Sequence, residues 1–485
     1  ITCRDWSSDV CSSDLTLIKS GTLITASETF QADLLIEDGK ISQIGKKIIM
    51  PAETEIVDAA GKYVLPGGVE AHAHFELPMF GTVSSDDHYS GHRAAAFGGT
   101  TTAFDFISQD SENLMECIQA WHEKAREKAA IDYSFHMNIT RFNDHIAADI
   151  PLLRKEGINS LKVFTAYNDR LRLMDGEIYQ VMRIAKEHGL LVMVHAENGD
   201  VIELLIAEAL AAGNTTPEWH ALTRPADGAV ESVNRVISLA RQTGAPVYIV
   251  HMNTKGGVDH VRDARAEGLA VMGETCPQYL FFTIDELRRP DGAKWVCSPP
   301  MRSKEDNAGV WKALMDETMQ VFATDHCPFF FDGTKPIIYE NEEVAIPGKE
   351  LGAHDFTKIP NGLPAIGDRL LILWSYGVNT GKITPNQFVA LTSTNPAKIF
   401  GIYPQKGTLM PGADADIAIW DPDKEITYGV QYAHHRTDYN LFEGWPLKGL
   451  VEKVFLRGKM IVDGENWYGE KGGGNFLNRG DIQIL

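Results

Sequence analysis

The chain has 485 residues, which suits one large domain with a smaller companion and not a single small core. Apolar residues at 44% and charged residues at 23% are ordinary for a globular protein. A formal net charge of −21 argues against nucleic acid or an anionic membrane as partner, since either needs a basic face.

In chain order, residues 5–15 read DWSSDVCSSDL, and this string back-translates to one that resembles a common sequencing-library adapter. Residues 1–15 are therefore set aside as read-through, expected to be disordered. From Thr16 the pattern is regular. Asp38-Gly39 between the apolar runs 34–36 and 41–44 predicts a hairpin, and residues 56–58 and 63–65 read as further short strands. Residues 414–420 and 454–462, near the other end, have the same character. The two ends, 16–66 and 401–465, are expected to form one small β-sandwich domain, with a tail at 466–485.

Residues 67–400 alternate short apolar runs with helical patterns such as 178–188 and 229–243. Eight runs are visible, at 69–74, 101–107, 133–139, 161–165, 190–195, 246–251, 269–274 and 320–324. Eight such repeats predict an α/β fold, a (β/α)8 TIM barrel. No apolar run is long enough to span a membrane, and no basic-then-apolar signal segment is visible. The six cysteines are scattered without a CxxC pair, so a reducing cytoplasm is the simplest compartment.

The residues with chemistry sit at the C-terminal ends of the runs, where TIM barrels place their sites. His72 and His74 end the first run, two apart, so both imidazoles can meet one metal. Alone, the pair serves equally as two polar residues at a strand end. His195 and His251 end the fifth and sixth runs, and Asp325 follows the eighth, where it could also cap a helix. Lys162, in the fourth run, would ordinarily reach for solvent. Together these six residues stand at one end of the barrel. An ammonium repels a divalent cation, but CO2 added to the lysine amine gives an anionic carbamate that can bridge two metals about 3.5–4 Å apart.

The segments HAHFELPMFGTVSSDD, GGTTTAFDF, SLKVFTAY, HAENGD, VHMNTKGG, GETCPQYL, CSPPMR, ATDHCPF and IPNGLP resemble the dihydropyrimidinase and D-hydantoinase group of the amidohydrolases. The resemblance runs from about Thr16 almost to the C-terminus. It implies two divalent ions per subunit, Zn2+ first among candidates. His72 and His74 would hold the more buried ion and His195 and His251 the second, with N6-carboxylated Lys162 bridging and Asp325 completing the first shell. It further implies that Asp325 moves the proton, that Tyr167 steadies the oxyanion, and that Ser298 and Asn361 hold the imide edge of the ring. From the residues alone, Tyr167 reads as a rim aromatic and Asn361 as a turn residue. The implied substrate is a small cyclic imide or ureide of pyrimidine catabolism, and the implied assembly is a homotetramer to which the tail could contribute.

Dihydroorotase and allantoinase are the nearest alternatives. Dihydroorotases carry an arginine two residues after the second histidine, where this chain has Glu76, an acid expected to repel an anionic substrate. A non-catalytic binding scaffold related to dihydropyrimidinase would have lost metal ligands, and none is replaced here. His326, His354, His434 and His435 receive no role, and Cys327 is not needed as a nucleophile.

Overall fold

A computed structural model describes residues 15–485. The adapter reading of the first residues, with Cys3 and Cys11, lies outside the described residues. Leu15 is the exception: it already begins a strand, Leu15–Ile24.

All eight predicted runs are strands of one parallel sheet, neighbouring one another in chain order. Barrel strands one to four are Gly68–Ala73, Thr100–Ile107, Asp132–Asn138 and Ser160–Phe164. Strands five to eight are Leu191–His195, Val247–Ile249, Val271–Thr275 and Val321–Phe322. They read as continuous apolar runs because both faces are covered, the outer one by helices such as Asp175–Glu187 and Ala226–Thr243. Val69, Ala71, Phe104, Phe106, Leu191, Met193, Tyr248 and Met272 pack together inside. The barrel is therefore a filled core that leaves room for chemistry only at one mouth.

Strands one and eight meet at a seam bridged by side chains. Buried Arg369 donates to Val69 O at 3.0 Å and Phe322 O at 2.8 Å, and its Nε lies 3.2 Å from Glu70. Glu70 accepts from His72 N at 2.9 Å and Thr324 N at 3.0 Å. A buried charge pair costs desolvation unless every donor finds an acceptor. Most of the hydrogen bonds of this pair go to the backbone it ties together, just before His74 and Asp325.

Both chain ends contribute to one mixed nine-stranded sheet. Strands Thr29–Glu37 and Lys40–Gly45 pair across Asp38 and Gly39, with φ of 50° and 78°, the left-handed pair that a tight hairpin needs. The tail packs on its own barrel. Leu477 N donates to Tyr133 O at 2.7 Å, and buried Arg479 donates to Ser160 Oγ at 2.8 Å. No helix among the described residues is long and apolar enough to cross a membrane.

Candidate active site

The six residues singled out by the sequence converge at the C-terminal mouth of the barrel. Asp325 Oδ1 lies 3.0 Å from His72 Nε2 and 3.2 Å from His74 Nε2. Lys162 Nζ lies 3.0 Å from His72 Nε2. His195 Nδ1 and His251 Nε2 are 3.0 Å apart, and the rings of His72 and His251 are 5.5 Å apart. One cluster thus draws on strands one, four and five and the loops after one, six and eight.

Simple alternation along the strands does not account for this convergence. Val69 and Ala71 point into the barrel, so His72 should point out. Between Glu70 and Ala73 strand one advances three residues while strand two advances from Ala103 to Asp105, two. The extra residue is a β-bulge that returns His72 and His74 to the interior. Likewise Tyr248 and Val250 face inward, and His251 follows them by adopting φ 40°. Asp325 at φ 53° and Tyr167 at φ 65° are also left-handed. Such backbone costs of order 1–3 kcal/mol per residue and persists where surrounding structure over-determines it.

The hydrogen bonds reveal what the cluster can hold. His72 Nδ1 is bonded to Glu274 Oε1, and His195 Nε2 lies 2.8 Å from Glu197 Oε2. Each carboxylate accepts the hydrogen bond of one imidazole N–H, which leaves a lone pair on His72 Nε2 and on His195 Nδ1. The His72 lone pair faces an Asp325 oxygen, another acceptor. Acceptors turned toward one another in a buried site fit a cation between them, and His72, His74 and Asp325 offer atoms all within 4.8 Å of one another. Burial and the neighbouring His195 push His251 well below the usual histidine range, so it is the neutral, ligating form. Against the cost of burial, positive charge on the histidine side of the cluster holds Asp325 well below the usual carboxylate range, and that is the charge a bound cation would supply with the imidazoles neutral. Burial pushes Lys162 down to about 8, which enlarges the share of free amine, the form able to attack CO2.

Above the cluster opens a cavity of about 340 Å3, lined among others by Met79, Phe80, Phe164, Tyr167, Ser298 and Asn361. Asn361 Nδ2 donates to Ser298 Oγ at 3.2 Å, and Ser298 Oγ lies 3.2 Å from His220 Nε2. Burial, with Glu197 nearby, raises Tyr167, so its phenol keeps its proton and can donate it.

The chain matches the family model described as the amidohydrolase family over residues 63–461. It is 45% identical to a D-hydantoinase of Geobacillus stearothermophilus, covering 97% of both chains. It is 39% identical to a D-phenylhydantoinase of Escherichia coli over 96% of this chain and 98% of that one. The crystal structure of dihydropyrimidinase from Brevibacillus agri superposes with a TM-score of 0.92 at 45% identity, over 97% of this chain and 99% of that one. This chain belongs to the amidohydrolase family. Within it, the chain falls in the D-hydantoinase and dihydropyrimidinase group, and the family is metal-dependent.

Around this amidohydrolase centre the structure adds residues that sequence reasoning passed over. Glu274 and Glu197 orient His72 and His195; both stand at or just beyond a strand end, which was the available signal. Lys349 had none. It is buried, and its Nζ donates to Val296 O at 2.9 Å and Pro360 O at 3.0 Å. It thereby clips together the two segments that carry Ser298 and Asn361.

The reading of Glu76 is corrected. Its backbone turns at φ 50°, its carboxylate meets Lys128 at 2.7 Å, and it is absent from the cavity wall. Its charge is paired with Lys128, away from that wall. His326 is a buried brace, with Nε2 3.1 Å from Asp86 and Nδ1 accepting from Ala365 N at 3.1 Å. His435 accepts from Gly367 N at 2.9 Å, while His354 is exposed. Cys327 is buried, and burial beside Asp325 pushes its thiol up, which suits no nucleophile.

Proposed function

We propose that this amidohydrolase opens the cyclic amide of 5,6-dihydropyrimidines, giving N-carbamoyl-β-alanine from 5,6-dihydrouracil, and of 5-substituted hydantoins, giving N-carbamoyl amino acids. The observation that carries the reading is the set of buried lone pairs on His72, His74, His195, His251 and Asp325 converging with Lys162 beneath a cavity of ring size. His72, His74 and Asp325 would hold one divalent ion, His195 and His251 a second, with carboxylated Lys162 shared between them. Bound there, two Zn2+ ions would supply Lewis acidity to the ring carbonyl and acidity to the attacking water.

The chain's own groups do the rest. Asp325, ionised and 3.0 Å from His72, takes a proton from the water as its oxygen adds to the carbonyl carbon. Tyr167 donates its phenolic hydrogen toward the developing oxyanion. As the C–N bond breaks, Asp325 returns the proton to the departing amide nitrogen. Ser298 and Asn361, linked at 3.2 Å, hold the opposite imide edge of the ring.

The proposal includes a cytoplasmic homotetramer, with the exposed neighbours Val201 and Leu204 on helix Gly199–Ala211 as apolar candidates for a contact. Light scattering checks it. The catalytic reading is tested by assaying zinc-loaded protein on 5,6-dihydrouracil beside hydantoin, with Lys162→Ala as control. Turnover lost in the variant supports it. Protein that holds two metals and opens neither ring points to another ureide such as allantoin, and protein that neither binds metal nor turns over points to a binding scaffold.

A further inference from the structure

The cavity rim carries charge that ring opening does not use. Arg141 follows strand three and Arg170 follows strand four, and both line the cavity. Strands three and four are adjacent in the barrel, so the two residues rise from neighbouring loops. Among the described residues, neither guanidinium has a carboxylate oxygen within 4.0 Å. The contrast with Arg172 is direct: two residues beyond Arg170, it is paired with Asp200.

Both arginines are held in place without being satisfied. The Arg170 guanidinium lies 5.6 Å from the Phe80 ring centroid, and its backbone N donates to Tyr167 O at 3.1 Å. Tyr167 and Asp169, at φ 65° and 58°, fix that turn. Arg141 Nη2 donates to Gln109 O at 2.9 Å, and Arg141 N to Gln109 Oε1 at 2.9 Å. A guanidinium has five donors in a planar fork matched to a carboxylate, and most of these remain unused. Of the two carboxylates lining the cavity, Asp325 belongs to the floor, and Asp110 on the rim offsets only one arginine. In a chain of net charge −21, this rim presents two cationic side chains against one carboxylate. Glu76, which the sequence suggested would repel anions, is spent on Lys128.

We infer that this chain selects cyclic amides whose ring substituent ends in a carboxylate, with Arg170 and Arg141 receiving that carboxylate at the rim. The inference rests on the hydrolytic reading above and names the substrate class within it. Met79, Phe80 and Phe164 in the cavity wall would cover the apolar stem of the substituent, and the arginines are the more exposed of these lining residues.

The test compares kcat/KM for hydantoin bearing a 5-(2-carboxyethyl) group with that for its primary amide, which has the same length and shape without charge. The expected preference for the carboxylate is about three- to tenfold at low salt, the scale of partly exposed ion pairs. It should shrink toward one in about 0.5 M NaCl, where the screening length is only a few ångströms. Arg170→Gln should lower the ratio, and Arg141→Gln should lower it by a smaller amount. Equal or inverted rates in the unmutated enzyme overturn the inference and leave the hydrolytic reading standing. So does a preference that survives both substitutions. Failure to open either ring in metal-loaded protein overturns the hydrolytic reading, and this inference with it.

Discussion

At the floor of the cavity, His72, His195 and Asp325 each have a carboxylate or imidazole partner, and a bulge at His72 and a left-handed turn at Asp325 aim those two side chains inward. At the rim, Arg170 and Arg141 stand exposed on loops with a single anchor apiece. On the two-ion reading, a cation would stabilise the facing lone pairs of the floor. The rim needs only to present a charge. On the two proposals above, hydrolytic chemistry resides in strand ends that would tolerate little change, and substrate choice in loops that could vary without disturbing it.

Five substitutions separate the two regions. The largest effect belongs to Asp325→Asn, which removes both a ligand and the proton carrier. Steady-state kinetics on hydantoin should show kcat/KM falling by roughly 10^3-fold or more. A loss under tenfold would mean that another group moves the proton. Next come Glu274→Gln and Glu197→Gln, which leave each imidazole in place but weaken its orientation and basicity. Competition with a chelator should show zinc affinity reduced by about 10–100-fold. Unchanged affinity would reduce these carboxylates to packing.

Lys349→Met probes the border between floor and rim. Losing its bonds to Val296 O and Pro360 O should loosen the segments carrying Ser298 and Asn361. KM should rise by about tenfold with kcat changed much less, the scale of charged hydrogen bonds to carbonyls. An equal fall in kcat would instead place its influence on the chemical step. The smallest effect is that of Arg170→Gln, confined to the carboxylate-to-amide ratio described above.

All eight barrel strands were legible as apolar runs, because a strand buried on both faces has to be written that way. The ligands were legible as residue types at strand ends. Their aim was not. His72 reaches the cluster through the bulge opposite Ala103 and Asp105, and His251 through φ 40°, and both are consequences of tertiary packing that local pattern does not encode. Glu76 misled for the same reason: adjacency to His74 in sequence says nothing about a turn that sends its carboxylate to Lys128. Lys349 and Arg170 carry ordinary surface residue types. Only the fold shows one buried against two carbonyls and the other unpaired at a cavity mouth.

The central claim is that the cluster works as a two-ion centre for cyclic-amide hydrolysis. It is tested most directly by adding Zn2+ stepwise to metal-stripped protein, in the presence of bicarbonate, while following the initial rate on hydantoin. The rate should start near zero, rise, and level off at about two equivalents per chain. A rate already maximal without metal, or one complete at a single equivalent, would contradict it.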